Sequence, residues 1–554
     1  MSTRRRVAVV TGGGGGIGRA IAEELGRSDW FVVTVDPLVT LDGTERLPES
    51  EETTAGRIVA AGGSARASST SVTDAEAVRA LFEELAAEHG GLDAVVNVAG
   101  ITRQSYFARG SEDDWVSLLS VHLGGYLNVL DAALPLMAEA GHGRILGVTS
   151  GSGWRAADAG GYSHAKRVVA ALTWQLGRVV PPGVTVNAIS PIAYTRMVAA
   201  ALERARAAGK PGGGGGLSLS ATMPGPEDLG PLGAHLVGDG AGWCSGHVLF
   251  TAGSEVALVD RPRLLEVVRT DGVASLPAVL DAVVPGAFVT AETAQTSSGG
   301  ANPRFGPIFG ETAPPGPDPG PVRTCAVVSD QPGLVGPLTA VLEARSMECH
   351  VVAPVRGFDA AARALQAVAE TAGPLDAVVV AVGGRKPGAA SGESWEQLLV
   401  DHRSITDDLH ADAGWVRATA GYAAESGRSV QLATLTDATG PAGRSRAQAA
   451  AQLARAAAGA TEGRITAFSV GLEADGDETR RTASELVAHL LCTPDTGALA
   501  GAELVVGAGW VGLRSHPRPI GTVVYGGPAV PPWLDSALRE MAGAAGPAPH
   551  AEER

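Results

Sequence analysis

Arg5-Arg6-Val7-Ala8-Val9-Val10-Thr11-Gly12-Gly13-Gly14-Gly15-Gly16-Ile17-Gly18-Arg19-Ala20 decides how this chain is read. An apolar run suited to a buried parallel strand ends in a glycine turn, and helical spacing resumes at Ile17, Ala20, Ile21 and Leu25. Five consecutive glycines elsewhere would read as a flexible linker. Between an apolar strand and an amphipathic helix they read instead as a turn whose bare N–H groups receive a phosphate. Gly12, Gly16 and Gly18 stand where the turn, the pyrophosphate and the helix–strand contact each exclude a side chain. The stretch is expected to hold a dinucleotide.

Working outward, 554 residues are too many for one compact domain. Apolar residues make up 45%, but aromatics only 4%, and 75 glycines point to small-residue α/β packing. A formal charge of −16 argues against nucleic-acid or anionic-membrane partners, which select a basic face. The short basic clusters, Arg4 to Arg6 and Arg444 with Arg446, read as solvated surface. Cys244, Cys325, Cys349 and Cys492 form no CxxC pair and stand beside no His at ligand spacing, so no metal site is expected. They read as small buried hydrophobes in a reducing compartment. No apolar run approaches the roughly 20 residues of a membrane span. The first strand begins almost at once, leaving no room for a signal peptide, and a cytoplasmic location is expected.

Strand and helix patterns then alternate, which implies a parallel sheet covered on both faces. Phe31-Val32-Val33-Thr34-Val35 is the second strand and ends at Asp36; polar, turn-rich sequence follows to about Ser64. A helix over about 74–88, a strand over 92–100, a long helix over about 112–140, a strand over 143–150, a helix over 162–176 and a strand over 184–191 come next. After a glycine run at 212–216 that reads as a linker or loop, a helix from Pro226 leads to a last strand at 247–250. The Pro- and Gly-rich segment 299–321 reads as an interdomain linker.

The chemistry gathers in this first half. Asp36 lies 18 residues after Gly18, close to the spacing of a ribose-binding acid. A carboxylate there accepts both ribose hydroxyls and repels a 2′-phosphate, and no basic residue in the turn or just after Asp36 offsets that, so NAD is favoured over NADP. Tyr162 and Lys166 are four apart, on one helix face. An unperturbed phenol titrates near about 10. A cation about 4 Å away at an effective dielectric of about 20 is worth about 4 kcal/mol. That is enough to make Tyr162 a usable acid–base near neutrality. Ser150, twelve residues earlier at a strand end, lies where active sites of open parallel sheets form and supplies a hydroxyl for the reacting oxygen. Taken singly, the Tyr–Lys pair reads as a surface pair and Ser150 as a loop cap, and the alternative for Asp36 is a helix N-cap or loop aspartate.

Thr11-Gly12-x-x-x-Gly16-Ile17-Gly18, Asn97-x-Ala99-Gly100, Ser150, Tyr162-x-x-x-Lys166, and Asn187-x-x-x-Pro191 with Thr195, in this order over about residues 5–258, resemble the short-chain dehydrogenase/reductase family. The resemblance implies a doubly wound Rossmann-type sheet, a nicotinamide cofactor and hydride exchange with a secondary alcohol or ketone. By it, Ser150 orients the carbonyl, Tyr162 is the acid–base, and Lys166 binds the nicotinamide ribose and lowers the Tyr162 pKa. Asn97 helps shape the cofactor site, and residues 189–195, with Pro191 and Thr195, flank the nicotinamide. Two positions depart from the family. His122 stands where an Asn usually holds a proton-relay water, and either substitutes for it or is a packed helix histidine. Ser71 stands where an adenine-contacting Asp is common.

The element order of the first half recurs beyond the linker. Leu375-Asp376-Ala377-Val378-Val379 repeats Leu92-Asp93-Ala94-Val95-Val96, Gly427-Arg428 repeats Gly143-Arg144, Trp395 to Leu399 mirrors Trp115 to Leu119, and His402 falls opposite His122. Near-constant spacing of this kind marks an internal duplication. Asp330 and Leu334 replace Gly12 and Gly16, Thr434 matches Ser150, and Arg446 and Ala450 replace the Tyr–Lys pair. The expected fold is α/β with two Rossmann-type doubly wound parallel sheets in tandem. The expected division is 1–258 for an active unit, 259–321 for an extension and linker, 322–514 for a degenerate copy and 515–554 for a tail. The expected activity is an NAD-dependent oxidoreductase of a small-molecule ketone or alcohol, acting as a homodimer built around an intrachain pseudo-dimer. The 3-oxoacyl thioesters and polyketide- or steroid-like ketones are the substrate classes. The rival is a non-catalytic NAD-binding regulatory or scaffolding protein.

Overall fold

The computed structural model describes residues 4–48, 52–104, 106–154, 160–207, 223–290, 323–384, 394–494 and 496–544. The glycine run at 212–216 and the linker segment 299–321 lie outside these. Eight strands come from the first half: β1 (Arg6–Thr11), β2 (Trp30–Val35), β3 (Ser64–Ser68), β4 (Ala94–Asn97), β5 (Gly143–Val148), β6 (Val184–Ile192), β7 (Val248–Ala252) and β8 (Glu255–Asp260). Nine follow: β9 (Leu264–Arg269), β10 (Thr324–Ser329), β11 (Glu348–Val352), β12 (Ala377–Ala381), β13 (Val430–Asp437), β14 (Ile465–Leu472), β15 (Glu503–Gly507), β16 (Trp510–Arg514) and β17 (Arg518–Val524). They form a nine-stranded sheet in the order β17-β8-β7-β6-β5-β4-β1-β2-β3 and an eight-stranded sheet in the order β11-β10-β12-β13-β14-β15-β16-β9.

From β7 through β3, and from β15 through β11, every pairing is parallel, as expected from fully buried apolar runs such as Val7 to Val10 and Val378 to Val380. β3 was not among the expected strands. Its sequence, Ser-Ala-Arg-Ala-Ser, carries no apolar alternation, and it forms only because it is an edge strand paired to β2 alone.

The two sheets exchange their last elements. β8 closes a hairpin on β7, yet β9, three residues later, pairs antiparallel with β16 in the other sheet. Reciprocally, β16 closes on β15, and β17 crosses back to pair with β8. The crossing segments touch: Arg263 N donates to Ser515 Oγ at 3.0 Å, and Ser515 N donates to the Arg263 carbonyl at 2.8 Å. Each segment also holds a proline, Pro262 or Pro517, which keeps the residue before it extended. The helices that follow are exchanged too. In Leu276–Ala287, Leu280 and Val284 join the core of the second sheet. In Leu534–Ala544, Leu534 and Leu538 join the core of the first, and Asp535 meets His235 Nε2 at 2.9 Å. The segments expected as an extension and a tail therefore each complete the other sheet.

Between the sheets, the helices Gly161–Leu176 and Pro441–Ala460 lie face to face. One core cluster combines Leu130, Val168 and Leu172 with Leu398, Leu409 and Ala449, and another combines Phe107 and Trp115 with Phe358 and Val416. The halves are thus joined by continuous apolar packing. Cys244 and Cys325 are buried as expected, whereas Cys349 and Cys492 are only half-buried, and all four are free thiols. Among the described residues no helix is long and apolar enough to cross a membrane.

Candidate active site

The site residues converge on the C-terminal edge of the first sheet. β1 ends at Thr11, whose hydroxyl donates to Asn97 Oδ1 at 2.7 Å and accepts from Ala99 N at 3.2 Å. Asn97 is buried and acts as a strut between strand ends. Gly12 has φ +66°, and a Cβ there would lie 2.9 Å from Ala99 N; one at Gly18 would meet the Gly12 carbonyl at 2.3 Å. Gly100 lies against the His122 ring, where a Cβ would sit 2.4 Å from Cε1. The helix Gly16–Arg27 begins at this turn, with Gly16 and Ile17 in its first turn, no side-chain cap and no acidic residue there. Its free N–H groups and positive dipole end fit a pyrophosphate.

Asp36 leaves β2 beside that turn: Oδ2 accepts from Gly14 N at 3.2 Å and Oδ1 from Leu38 N at 3.0 Å. A second side chain at the turn comes from far along the chain. A Cβ at Gly15 would lie 2.6 Å from Arg196 Nη2, so the guanidinium rests on the turn. No Arg or Lys lies within the glycine turn or just after Asp36 in the sequence, and the return of the chain after β6 brings Arg196 onto the turn. Thr195 caps the helix Arg196–Ala207, accepting from Val198 N at 3.3 Å, and its methyl faces Gly16. Pro191 is part of β6, paired with Thr251. Ser71 bonds Thr73, with 2.8 Å between the hydroxyls, as a loop turn does.

Ser150 follows β5 and starts a 3-10 turn, Gly151–Gly153. Its Oγ accepts from Ser152 N at 3.3 Å and from Ser152 Oγ at 3.1 Å. Tyr162 and Lys166 project from Gly161–Leu176, with Lys166 Nζ 5.8 Å from the Tyr162 ring centre and donating to the Val148 carbonyl at 2.6 Å. Burial pushes the Lys166 ammonium down to about 7. Lys166 is therefore not the standing cation expected from its spacing to Tyr162, and its charged form is shared with a neutral one at physiological pH.

His122 sits in a π-helical stretch, Ser120–Gly124, inside the long helix expected over 112–140. The extra residue per turn is a distortion common at functional sites. Its ring stands edge-on to Tyr162 with centroids 5.0 Å apart, and Nε2 lies 2.8 Å from the Ile101 carbonyl, which fixes Nε2 as the protonated nitrogen. Burial first, then Lys166, pushes its pKa down to about 3, so the imidazole is neutral.

In the second sheet other residues stand at the corresponding ladder positions. Asp93 meets β5 as Asp376 meets β13: Arg144 N donates to the Asp93 carbonyl and Gln431 N to that of Asp376, each at 2.9 Å. This register places Asp437, not Thr434, opposite Ser150; Thr434 is inside β13 and donates to the Phe468 carbonyl. Asp437 Oδ1 accepts from Thr439 N at 3.0 Å and from Thr439 Oγ1 at 2.6 Å, the same turn that Ser150 makes with Ser152. Arg446 is buried against Asp412 and donates to the Val382 carbonyl. His402 is engaged through both nitrogens, by Leu398 and by Ser445.

A glycine turn with an open helix N-terminus at the C-terminal edge of a doubly wound sheet, with Ser150, Tyr162 and Lys166 at the same edge, is an arrangement that fits a dinucleotide. Residues 6–206 match the short chain dehydrogenase family model. The chain is 36% identical over 204 residues to the short-chain reductase protein NovJ of Streptomyces niveus, a match covering 36% of this chain and 74% of that protein. It is 32% identical over 251 residues to nodulation protein G of Azospirillum brasilense, covering 44% and 96%. Over 189 residues it is 32% identical to acetoacetyl-CoA reductase of Cupriavidus necator, covering 34% and 74%. The crystal structure of the N-domain of a bacterial malonyl-CoA reductase with NADP is similar in fold across both sheets, with TM-score 0.64 and 16% identity over 91% of this chain and 97% of that one. The chain belongs to the short-chain dehydrogenase/reductase family, oxidoreductases of hydroxyl and ketone groups that bind a nicotinamide cofactor.

Proposed function

We propose that the first half is an NAD(H)-dependent oxidoreductase interconverting a secondary alcohol and a ketone, with 3-oxoacyl thioesters the first substrate class to test and polyketide- or steroid-like ketones the next. The observation that carries this reading is the convergence of Ser150, Tyr162 and Lys166 beside an uncapped helix N-terminus. Relatives named acetoacetyl-CoA reductase and 3-oxoacyl-[acyl-carrier-protein] reductase support the thioester class.

The nicotinamide, when bound, supplies or accepts the hydride. Tyr162 Oη gives or takes the proton of the substrate oxygen, and Ser150 Oγ donates a hydrogen bond to that oxygen. Lys166 holds the nicotinamide ribose and, when protonated, favours the Tyr162 phenolate. Asp36 takes the adenosine ribose, which favours NAD. Gly12, Gly16, Ile17 and Gly18, with Arg196 beside them, would hold the pyrophosphate, and Asn97, Ala99, Gly100, Pro191 and Thr195 would line the rest of the cofactor site. His122, neutral and bonded to Ile101, keeps the Tyr162 ring in place.

The second half is read as a degenerate copy of the same unit, supported by the repeated Asp437–Thr439 turn and by Arg446 and Asp412 occupying the edge above β12. On this reading the two units are 1–258 with 515–544, and 322–514 with 264–287. The face between Gly161–Leu176 and Pro441–Ala460 is an intrachain pseudo-dimer, and two chains pair further into a homodimer.

Tyr162→Phe tests the activity. With NADH and acetoacetyl-CoA, turnover is expected to fall at least about 100-fold, the scale of lost general acid catalysis, while NADH still quenches protein fluorescence with unchanged affinity. Unchanged turnover overturns the mechanism. NADH binding without turnover of any ketone by the parent chain favours the non-catalytic, NAD-binding alternative.

A further inference from the structure

Ser150 carries one proton and two lone pairs, and both lone pairs are directed at Ser152, whose N–H and Oγ–H donate to it at 3.3 and 3.1 Å. The hydroxyl proton of Ser150 is therefore left to point away from its own turn, as a donor to a reacting oxygen must. This orientation is only as good as the placement of Ser152. Ser152 is buried, and the hydrogen bond to its carbonyl comes from the second half: Gln452 Nε2 donates to it at 3.1 Å.

The same turn is braced from beneath. A Cβ at Gly153 would lie 2.9 Å from Arg167 N, so turn and catalytic helix are in direct backbone contact. Thr149 Oγ1 donates to the Lys166 carbonyl at 2.6 Å. Arg167, the residue after Lys166, is fully buried and its guanidinium is taken up by the second half, through the Glu503 carboxylate and, at 3.4 Å, the Gln448 carbonyl. Burial works against the charge on Glu503, but Arg167 and His516 hold its carboxyl below the usual range. On the opposite wall, Arg417 donates to the carbonyls of Phe107, Ala108 and Gly110.

We infer that the second half positions the catalytic serine: Gln452, donating to the Ser152 carbonyl, fixes the turn that aims the Ser150 hydroxyl, against a helix that Glu503 anchors through Arg167. Gln452 is a positioning residue and touches no reacting atom. The inference rests on the catalytic role assigned to Ser150 above. It gives the second half a task beyond packing, since apolar contact alone holds helices together but does not orient a hydroxyl.

The test uses the full chain. In Gln452→Leu, backbone amides of the 150–154 segment are expected to exchange with deuterium at least tenfold faster, while those of Gly161–Leu176 keep parental rates and the melting temperature holds. With acetoacetyl-CoA and NADH, kcat is expected to fall at least tenfold with NADH affinity unchanged. Gln452→Glu keeps the shape but loses the donor when ionised, so exchange in 150–154 is expected to be fast at pH 8 and to approach the parental rate at pH 5. Parental exchange in both variants overturns the inference. If kcat also stays parental in Gln452→Leu while Tyr162→Phe is inactive, the inference fails and the proposed activity stands; a fully active Tyr162→Phe overturns the proposed activity itself.

Discussion

Lys166 Nζ donates to the Val148 carbonyl at 2.6 Å while lying 5.8 Å from the centre of the Tyr162 ring, so one buried side chain ties the end of β5 to the helix that carries Tyr162. Burial lowers its pKa from the ordinary lysine value of 10.5 to about 7. Below pH 7 both folded and unfolded chains hold this proton and the buried charge weighs fully against folding. As pH rises from about 7 to 10.5 only the unfolded chain holds it, so this group's contribution to stability grows with pH. In Lys166→Met that rise is expected to be absent. Denaturant midpoints of both proteins, without cofactor, from pH 6 to 10 check it; parallel curves contradict it.

Asp36 and Arg196 flank adjacent glycines, Gly14 and Gly15. Asp36→Ala is expected to narrow the preference for NADH over NADPH at least tenfold, because the carboxylate repels a 2′-phosphate. Arg196→Gln is expected to weaken both cofactors by the same factor, about tenfold or about 1.4 kcal/mol, because both carry the pyrophosphate. Titration calorimetry with each cofactor checks both variants. A loss confined to NADPH moves Arg196 to the 2′-phosphate.

His122 is neutral above pH 3, so it contributes no titration at working pH. His122→Asn is expected to lower kcat through a looser Tyr162 while leaving every limb of the pH–rate profile between 5 and 8 in place. Loss of a limb makes His122 a proton carrier.

Ending the chain at residue 514 removes β17 and the helix Leu534–Ala544, which leaves β8 an open edge and uncovers the pockets of Leu534 and Leu538. Each leucine is worth about 1.5–3 kcal/mol, and total stability is of order 5–15 kcal/mol. The truncated chain is expected to unfold at a clearly lower urea midpoint and to aggregate. An unchanged midpoint shows that the crossing strand is dispensable.

The form of the glycine turn and the common helix face of Tyr162 and Lys166 were legible because each is local: one is a single turn between a strand and a helix, the other a four-residue spacing. The first sheet's parallel strands were legible for a similar reason, since strands buried on both faces must be continuously apolar. β3 escaped because an edge strand has no such requirement. The match of Thr434 to Ser150 failed because a repeated Gly-Arg dipeptide says nothing about ladder register, which the Asp376–Gln431 bond fixes instead.

By itself, the sequence determined the fold class, the glycine turn after the first strand and the placing of Tyr162 and Lys166 on one helix face, all consequences of short-range spacing. Only the tertiary structure decided that β9 and β17 change sheets, that Arg196 returns to the glycine turn, and that Gln452 reaches Ser152 and Glu503 reaches Arg167. Each of these depends on contacts between residues far apart in the chain, and they form only when the two cores have packed against each other.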